Sequence, residues 1–271
     1  MSQFQLGEAP ALFEAGAGAA VAKPGARIIA VRALTGSAGR SVVAANLAFE
    51  LASSGSRVCL IDLDDNWPSL HRYFGLPKQQ AAVLAAMRLL SQDKLDSNAL
   101  EDLSVRLVAK GVGVDFLSGF GLGGDSAEMV ATQLVPLLQA LQQRFDFLVL
   151  DTPISRRSEV NLALASLERR DIVVVLADPI NLGRLVDARN SNQFDAEALL
   201  VLNRLRASVL GARPEWQIQQ LLRDNSNFRQ AAVIPEDPAF DEAMLRGLPL
   251  RQVSAKAKAL QAIAELAGRL A

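Results

Sequence analysis

One cysteine, Cys59, and one histidine, His71, are all the sequence holds of the residue types that build disulfide frames and transition-metal clusters. A stapled fold needs the first in pairs and a zinc-type centre needs several of either, so both are excluded. Cys59 lies in an apolar run, and both residues read as structural. No apolar stretch approaches the roughly 20 residues that span a bilayer. The first residues lack the charged-then-apolar order of a secretory signal, which predicts a cytoplasmic protein. A charge excess is missing too: 28 Lys and Arg face 29 Asp and Glu, for a net charge of −1. An electrostatic hold on nucleic acid by the whole molecule is therefore disfavoured. From Val201 onward ten basic residues meet seven acidic ones, an excess of three that is too mild to argue for DNA.

What is present is hydrophobic sequence in a rhythm. Half of the 271 residues are hydrophobic, enough for a sizeable core. Apolar runs at 28–31, 57–63, 112–117, 147–151, 171–176, 198–202 and 231–234 read as buried strands. Helical stretches fall at 42–53, 67–74, 79–90, 127–145, 159–168, 183–192, 214–222, 239–246 and 255–270, a Gly-rich loop at 118–125, and 95–110 is ambiguous. Near-continuous apolar strands alternating with helices predict an α/β fold with one doubly wound, mainly parallel sheet, covered by helices on both faces. Residues 1–26, rich in Ala and Gly, read as a flexible arm, and 27–271 as a single domain.

The most informative stretch is Arg27 to Ser41, RIIAVRALTGSAGRS, a strand, a tight turn and a helix start. Gly36, Ser37, Ala38 and Gly39 are small enough to turn the backbone beneath a helix N-terminus. Outward N–H groups beside the positive end of the helix dipole form an anion site. The P-loop pattern G-x-x-x-x-G-K-[ST] is matched by Gly39 and Ser41, but Leu34 stands at its first Gly and Arg40 at its Lys. An ordinary strand-to-helix turn has the same small residues. Three carboxylates tip the balance toward phosphate. Asp62 and Asp64 end one strand and Asp151 another, on the sheet edge where ligands of such folds sit. Carboxylates beside a phosphate cradle repel it unless a metal ion intervenes. Asp151 would then hold Mg²⁺ through water, with Ser41 supplying a hydroxyl and Asp64 orienting an attacking water.

TGSAGRS, IDLDD, FDFLVLDTP, VLNRL and IPEDP, in that order and spacing, resemble the ParA/MinD group of deviant Walker P-loop ATPases. The resemblance runs from Ala26 to Ala271, and the last forty residues look most like the TadZ/CpaE branch, which positions pilus-assembly machinery at a cell pole. It implies ATP or ADP with Mg²⁺ as cofactor, a homodimer, and protein partners of a pilus or secretion assembly. Nucleotide binding falls by the resemblance on Gly36, Ser37, Ala38, Gly39, Arg40, Ser41 and Val42, with Asn203 on the adenine side and Ile234 and Pro235 bordering the base. Ser41, Asp62 and Asp151 correspond to the metal side, and Asp64 to a catalytic switch carboxylate. The signature Lys that reaches a partner's phosphates is Thr35 here, the second loop Gly is Ser37, and the phosphate-binding Lys is Arg40. A planar guanidinium does not thread a loop as a compact ammonium does. These departures predict weak or absent hydrolysis with a retained cradle, in a localisation or scaffold protein. The alternatives are an active ATPase cycling on DNA or membrane and a nucleotide-free dimer. Leu260, Ile263, Leu266 and Leu270 share one face of the terminal helix, for which packing on the sheet is preferred over a membrane surface.

Overall fold

The computed structural model describes residues 27–76, 81–120, 127–190, 197–206 and 229–271. The arm, the helix expected over 214–222 and most of the Gly-rich loop at 118–125 lie outside the described residues. The apolar runs pair into one sheet of eight strands among those residues: β1 (Arg27–Ala33), β2 (Val58–Asp62), β3 (Val105–Ala109), β4 (Val112–Leu117), β5 (Phe147–Asp151), β6 (Arg170–Leu176), β7 (Leu199–Leu205) and β8 (Arg229–Pro235). Their order is β3-β4-β2-β5-β1-β6-β7-β8. Every pairing is parallel except β3 with β4. Every residue of β2 and β5 is buried, as expected of central parallel strands covered on both faces.

The ambiguous segment 95–110 divides into a helix, Ser97–Leu103, capped by the Asp96 carboxylate accepting from the Ala99 N–H, and the antiparallel strand β3. Lys110 and Gly111, at φ 47° and 77°, make the two-residue turn into β4. That double left-handed geometry matches the twist of a hairpin and is why the edge strand runs backwards. The helix expected over 67–74 is shorter, Leu70–Tyr73. The Asp64 carboxylate accepts from the Asn66 and Trp67 N–H groups, so the chain before it is an Asx-type turn. Trp67 is left exposed, whereas Tyr73 is buried and its hydroxyl accepts from Asn46.

Helix α1 (Arg40–Ala52) runs back beneath β1, with Val43, Leu47 and Leu51 in the main core. The terminal helix, Lys258–Leu270, places Leu260, Ile263, Leu266 and Leu270 in that same core, packed against α1 and β8. Burying each such side chain contributes about 1.5–3 kcal/mol, so this face is held by the domain itself. Among the described residues no helix is long and apolar enough to cross a membrane. Two further helices, Ala239–Arg246 and Leu250–Val253, close the chain's path over α1, where the Leu250 N–H donates to Asn46.

Candidate functional site

Strand register brings the expected residues together. Asp62 pairs with Asp151 across β2 and β5, and Asp151 pairs with Val31 of β1. Both carboxylates therefore lie at the same carboxyl-end edge as the turn that follows β1. Above them opens a cleft of about 1040 Å³, lined by Gly36, Ser37, Ala38, Gly39, Arg40, Ser41 and Val42 along one wall, with Asp64 and Asn203 beside them.

The turn is held by particular contacts. Gly39 adopts φ 87° as the residue before α1, and a Cβ there would stand 2.2 Å from Asn203 Nδ2. Asn203 Nδ2 donates to the Ala38 carbonyl at 2.8 Å, and Asn203 Oδ1 accepts from the Arg204 N–H at 3.0 Å. Both ends of this buried amide are thus engaged, one fastening β7 to the loop and the other holding its own strand end. Ser37 takes φ 60°, the left-handed region in which a side chain is strained and Gly is not. Thr35, where the resemblance would place a signature lysine, donates its hydroxyl proton to Asn181 Oδ1 at 3.1 Å. Asn181 is fixed in turn by its N–H and amide donating to Asp178 at 2.8 and 2.6 Å.

Beneath the loop the charges are paired within the protein. Arg40, only 7% exposed, donates from Nε to Asp151 Oδ1 and from Nη2 to Asp64 Oδ2, each at 2.5 Å. Burial alone would lower the pKa of Arg40, but the charge of Asp151 and the hydrogen bond and charge of Asp64 raise it. Burial pushes Asp151 up, against the opposing pull of Arg40 and of the Ser41 hydroxyl. Asp62 is driven well above the ordinary carboxylate range by burial and by the charge of Asp151, although the Leu70 and Asp64 N–H groups oppose the rise. Those two N–H groups occupy both of its oxygens, at 3.1 and 3.2 Å. The Ser41 hydroxyl accepts from Ser69 at 3.0 Å. Arg40 Nη1 and Asp151 Oδ2 are buried and have no hydrogen-bond partner among the described residues.

Magnesium requires a near-octahedral set of oxygens, commonly one or two carboxylates and several waters. Of the groups expected to meet it, Asp62 is buried with a backbone N–H on each oxygen, and Asp151 is bound to the Arg40 guanidinium. The residues present do not fit the ion well, because a cation already stands between the carboxylates.

The sequence reading missed part of the cleft. Ile234 is fully buried in the main core, and Pro235 ends β8. The wall opposite the loop is made by the next residues, Glu236, Asp237 and Pro238, and by Phe240, Asp241 and Met244. Their signal was present in IPEDPAF, where a Pro-flanked acidic turn precedes a helix. Arg204, at φ 56°, and Trp67 also line the mouth.

Gly39→Ala is expected to destabilise the protein by about 1–3 kcal/mol, because it forces a side chain into the left-handed region and into Asn203. Urea denaturation checks this. An unchanged midpoint would show that the loop is not clamped as described.

The family described as cellulose biosynthesis protein BcsQ matches residues 26–270. The septum site-determining protein MinD of Helicobacter pylori is 24% identical over 247 residues, which cover 87% of this chain and 88% of that protein. The structure of MinD from Pyrococcus horikoshii complexed with Mg-ADP aligns with a TM-score of 0.68 at 23% identity, covering 90% of this chain and 96% of that one. A ParA-family ATPase from Chlorobium tepidum aligns with a TM-score of 0.71 at 17% identity, over 89% and 98% of the two chains.

Proposed function

Because the chain belongs to the BcsQ family of cellulose biosynthesis proteins and has the ParA/MinD fold, we propose that it binds ATP or ADP over the 36–42 loop and acts as a localisation or scaffold protein. Hydrolysis is weak or absent in this reading. The observation that carries it is the cleft itself. It combines a loop clamped by Asn203 at a helix N-terminus with a guanidinium beneath and, on the opposite wall, apolar Pro238, Phe240 and Met244 for a base among the acidic Glu236, Asp237 and Asp241. The family description favours a polysaccharide-synthesising assembly as the machinery served, and the TadZ/CpaE-like closing segment favours a pilus or secretion assembly. Exposed Trp67 and Ile154 at the mouth favour a second protein surface there, most simply another copy of the chain.

A different class of function, an ATPase of septum-site or partitioning type cycling on membrane or DNA, is favoured by the likeness to MinD and ParA proteins. Calorimetric titration of ADP and ATP tests the first reading. One site per chain is expected, accompanied by a change in Trp67 fluorescence that Trp67→Phe removes. No heat at millimolar nucleotide would leave the cleft without its ligand.

A further inference from the structure

We propose that Arg40 is the resident cation of this pocket, standing where related P-loop proteins use magnesium, so that the site takes a nucleotide phosphate without a divalent metal. For its ligand the inference rests on the nucleotide reading above; its statement about the metal does not.

The guanidinium has three nitrogens, and each has a distinct position. Nε engages Asp151 at the end of β5, and Nη2 engages Asp64 just beyond β2. Nη1 is buried and unpartnered among the described residues. A planar fork with two nitrogens on carboxylates and one donor spare has the connectivity of a bridging ion: it offsets one of the two carboxylate charges and leaves one buried N–H group with a hydrogen bond to give. A lysine ammonium at this position lacks the fixed fork that reaches two carboxylates at once. The metal-side residues already carry hydrogen bonds within the protein: Asp62 accepts one backbone N–H on each oxygen, and Ser41 accepts from Ser69. Among the described residues no group of three Asp, Glu, His or Cys side chains is arranged to hold a metal ion. The one open carboxylate oxygen, Asp151 Oδ2, lies beside a permanent positive charge that repels a dication.

The position also explains why Arg, and not an apolar residue, stands where the lysine was lost. With both carboxylates bare, the floor of the cleft would repel any phosphate. With Arg40 in place one of those two charges is offset, and buried Nη1 is the donor that a phosphate oxygen would have to reach.

Manganese(II) titrated against the purified chain and followed by electron paramagnetic resonance tests the exclusion directly. Wild type and Asp151→Asn are expected to give the same isotherm. Arg40→Met is expected to gain one Mn²⁺ site that Arg40→Met/Asp151→Asn loses again. A wild-type site abolished by Asp151→Asn would overturn the proposal. Where Arg40→Met does not fold, the comparison of wild type with Asp151→Asn still decides. In the second arm ADP is titrated in EDTA and in saturating Mg²⁺. The wild-type Kd is expected to differ by less than about twofold, and Arg40→Met to bind about tenfold or more tightly with Mg²⁺. A wild-type affinity that rises about tenfold with Mg²⁺ would refute the resident cation. Absence of ADP heat in either buffer would remove the nucleotide reading, and the manganese arm would still judge Arg40.

Discussion

Arg40→Met is expected to cost the fold about 3–5 kcal/mol, since it strips the counter-charge from two buried carboxylates. Asp151 is fully buried, and Asp64 is nearly so. The loss is not that of a surface ion pair, for which about 0–1 kcal/mol would be typical. Most of the cost is the desolvation of anions left without a counter-charge. For a chain of this size it corresponds to a fall in melting temperature of roughly 6–20 °C. Two further measurements separate this cause from simple loss of packing. Arg40→Met/Asp151→Asn is expected to be more stable than Arg40→Met alone, because the double variant removes the orphaned charge as well as its partner. Magnesium is expected to stabilise Arg40→Met and to leave wild type unchanged, since only the variant offers bare carboxylates. A loss below about 1 kcal/mol would mean that Arg40 spends its time in solvent and not on the aspartates.

The sheet was legible because its central strands, β2 and β5, are uninterrupted apolar runs that end in aspartate. A strand-end residue in a parallel sheet can only fall at one edge, so the neighbourhood of Asp62, Asp64 and Asp151 followed from the strand assignments. Where the Arg40 side chain would go did not. Its partners are 24 and 111 residues away in sequence, and nothing local distinguishes a guanidinium that points to phosphate from one that turns inward. Asn203 shows the same limit. Resemblance places it at a base, while its amide clamps the Ala38 carbonyl and fixes its own strand end. The helix expected from Trp67 was overextended because helical spacing is visible in sequence and a carboxylate accepting two backbone N–H groups is not. Tertiary contacts decided each of these, and side chains distant in sequence make them.

Hydrolysis is where the site's departures have the largest consequence. Purified protein is expected to turn ATP over about 10³-fold or more slowly than a relative that carries both loop lysines, because phosphoryl transfer is driven almost wholly by positioned charge. Three losses act together. Thr35 brings no cation, and its hydroxyl is tied to Asn181 and through it to Asp178. Arg40 has two of its three nitrogens committed to carboxylates, so it cannot follow charge onto the γ-phosphate without abandoning both. Asp64, to which the sequence reading assigns the orienting of a water, has one oxygen on Arg40 and the other on the Asn66 and Trp67 N–H groups. Single-turnover hydrolysis at saturating protein measures the chemical step without interference from product release. The pair of substitutions Thr35→Lys and Arg40→Lys should raise that rate together more than either does alone, since one restores the missing cation while the other frees Asp64 and Asp151. If wild type hydrolysed ATP within about tenfold of an intact relative, Arg40 would have to leave the carboxylates during turnover, and the pocket would be a working ATPase site.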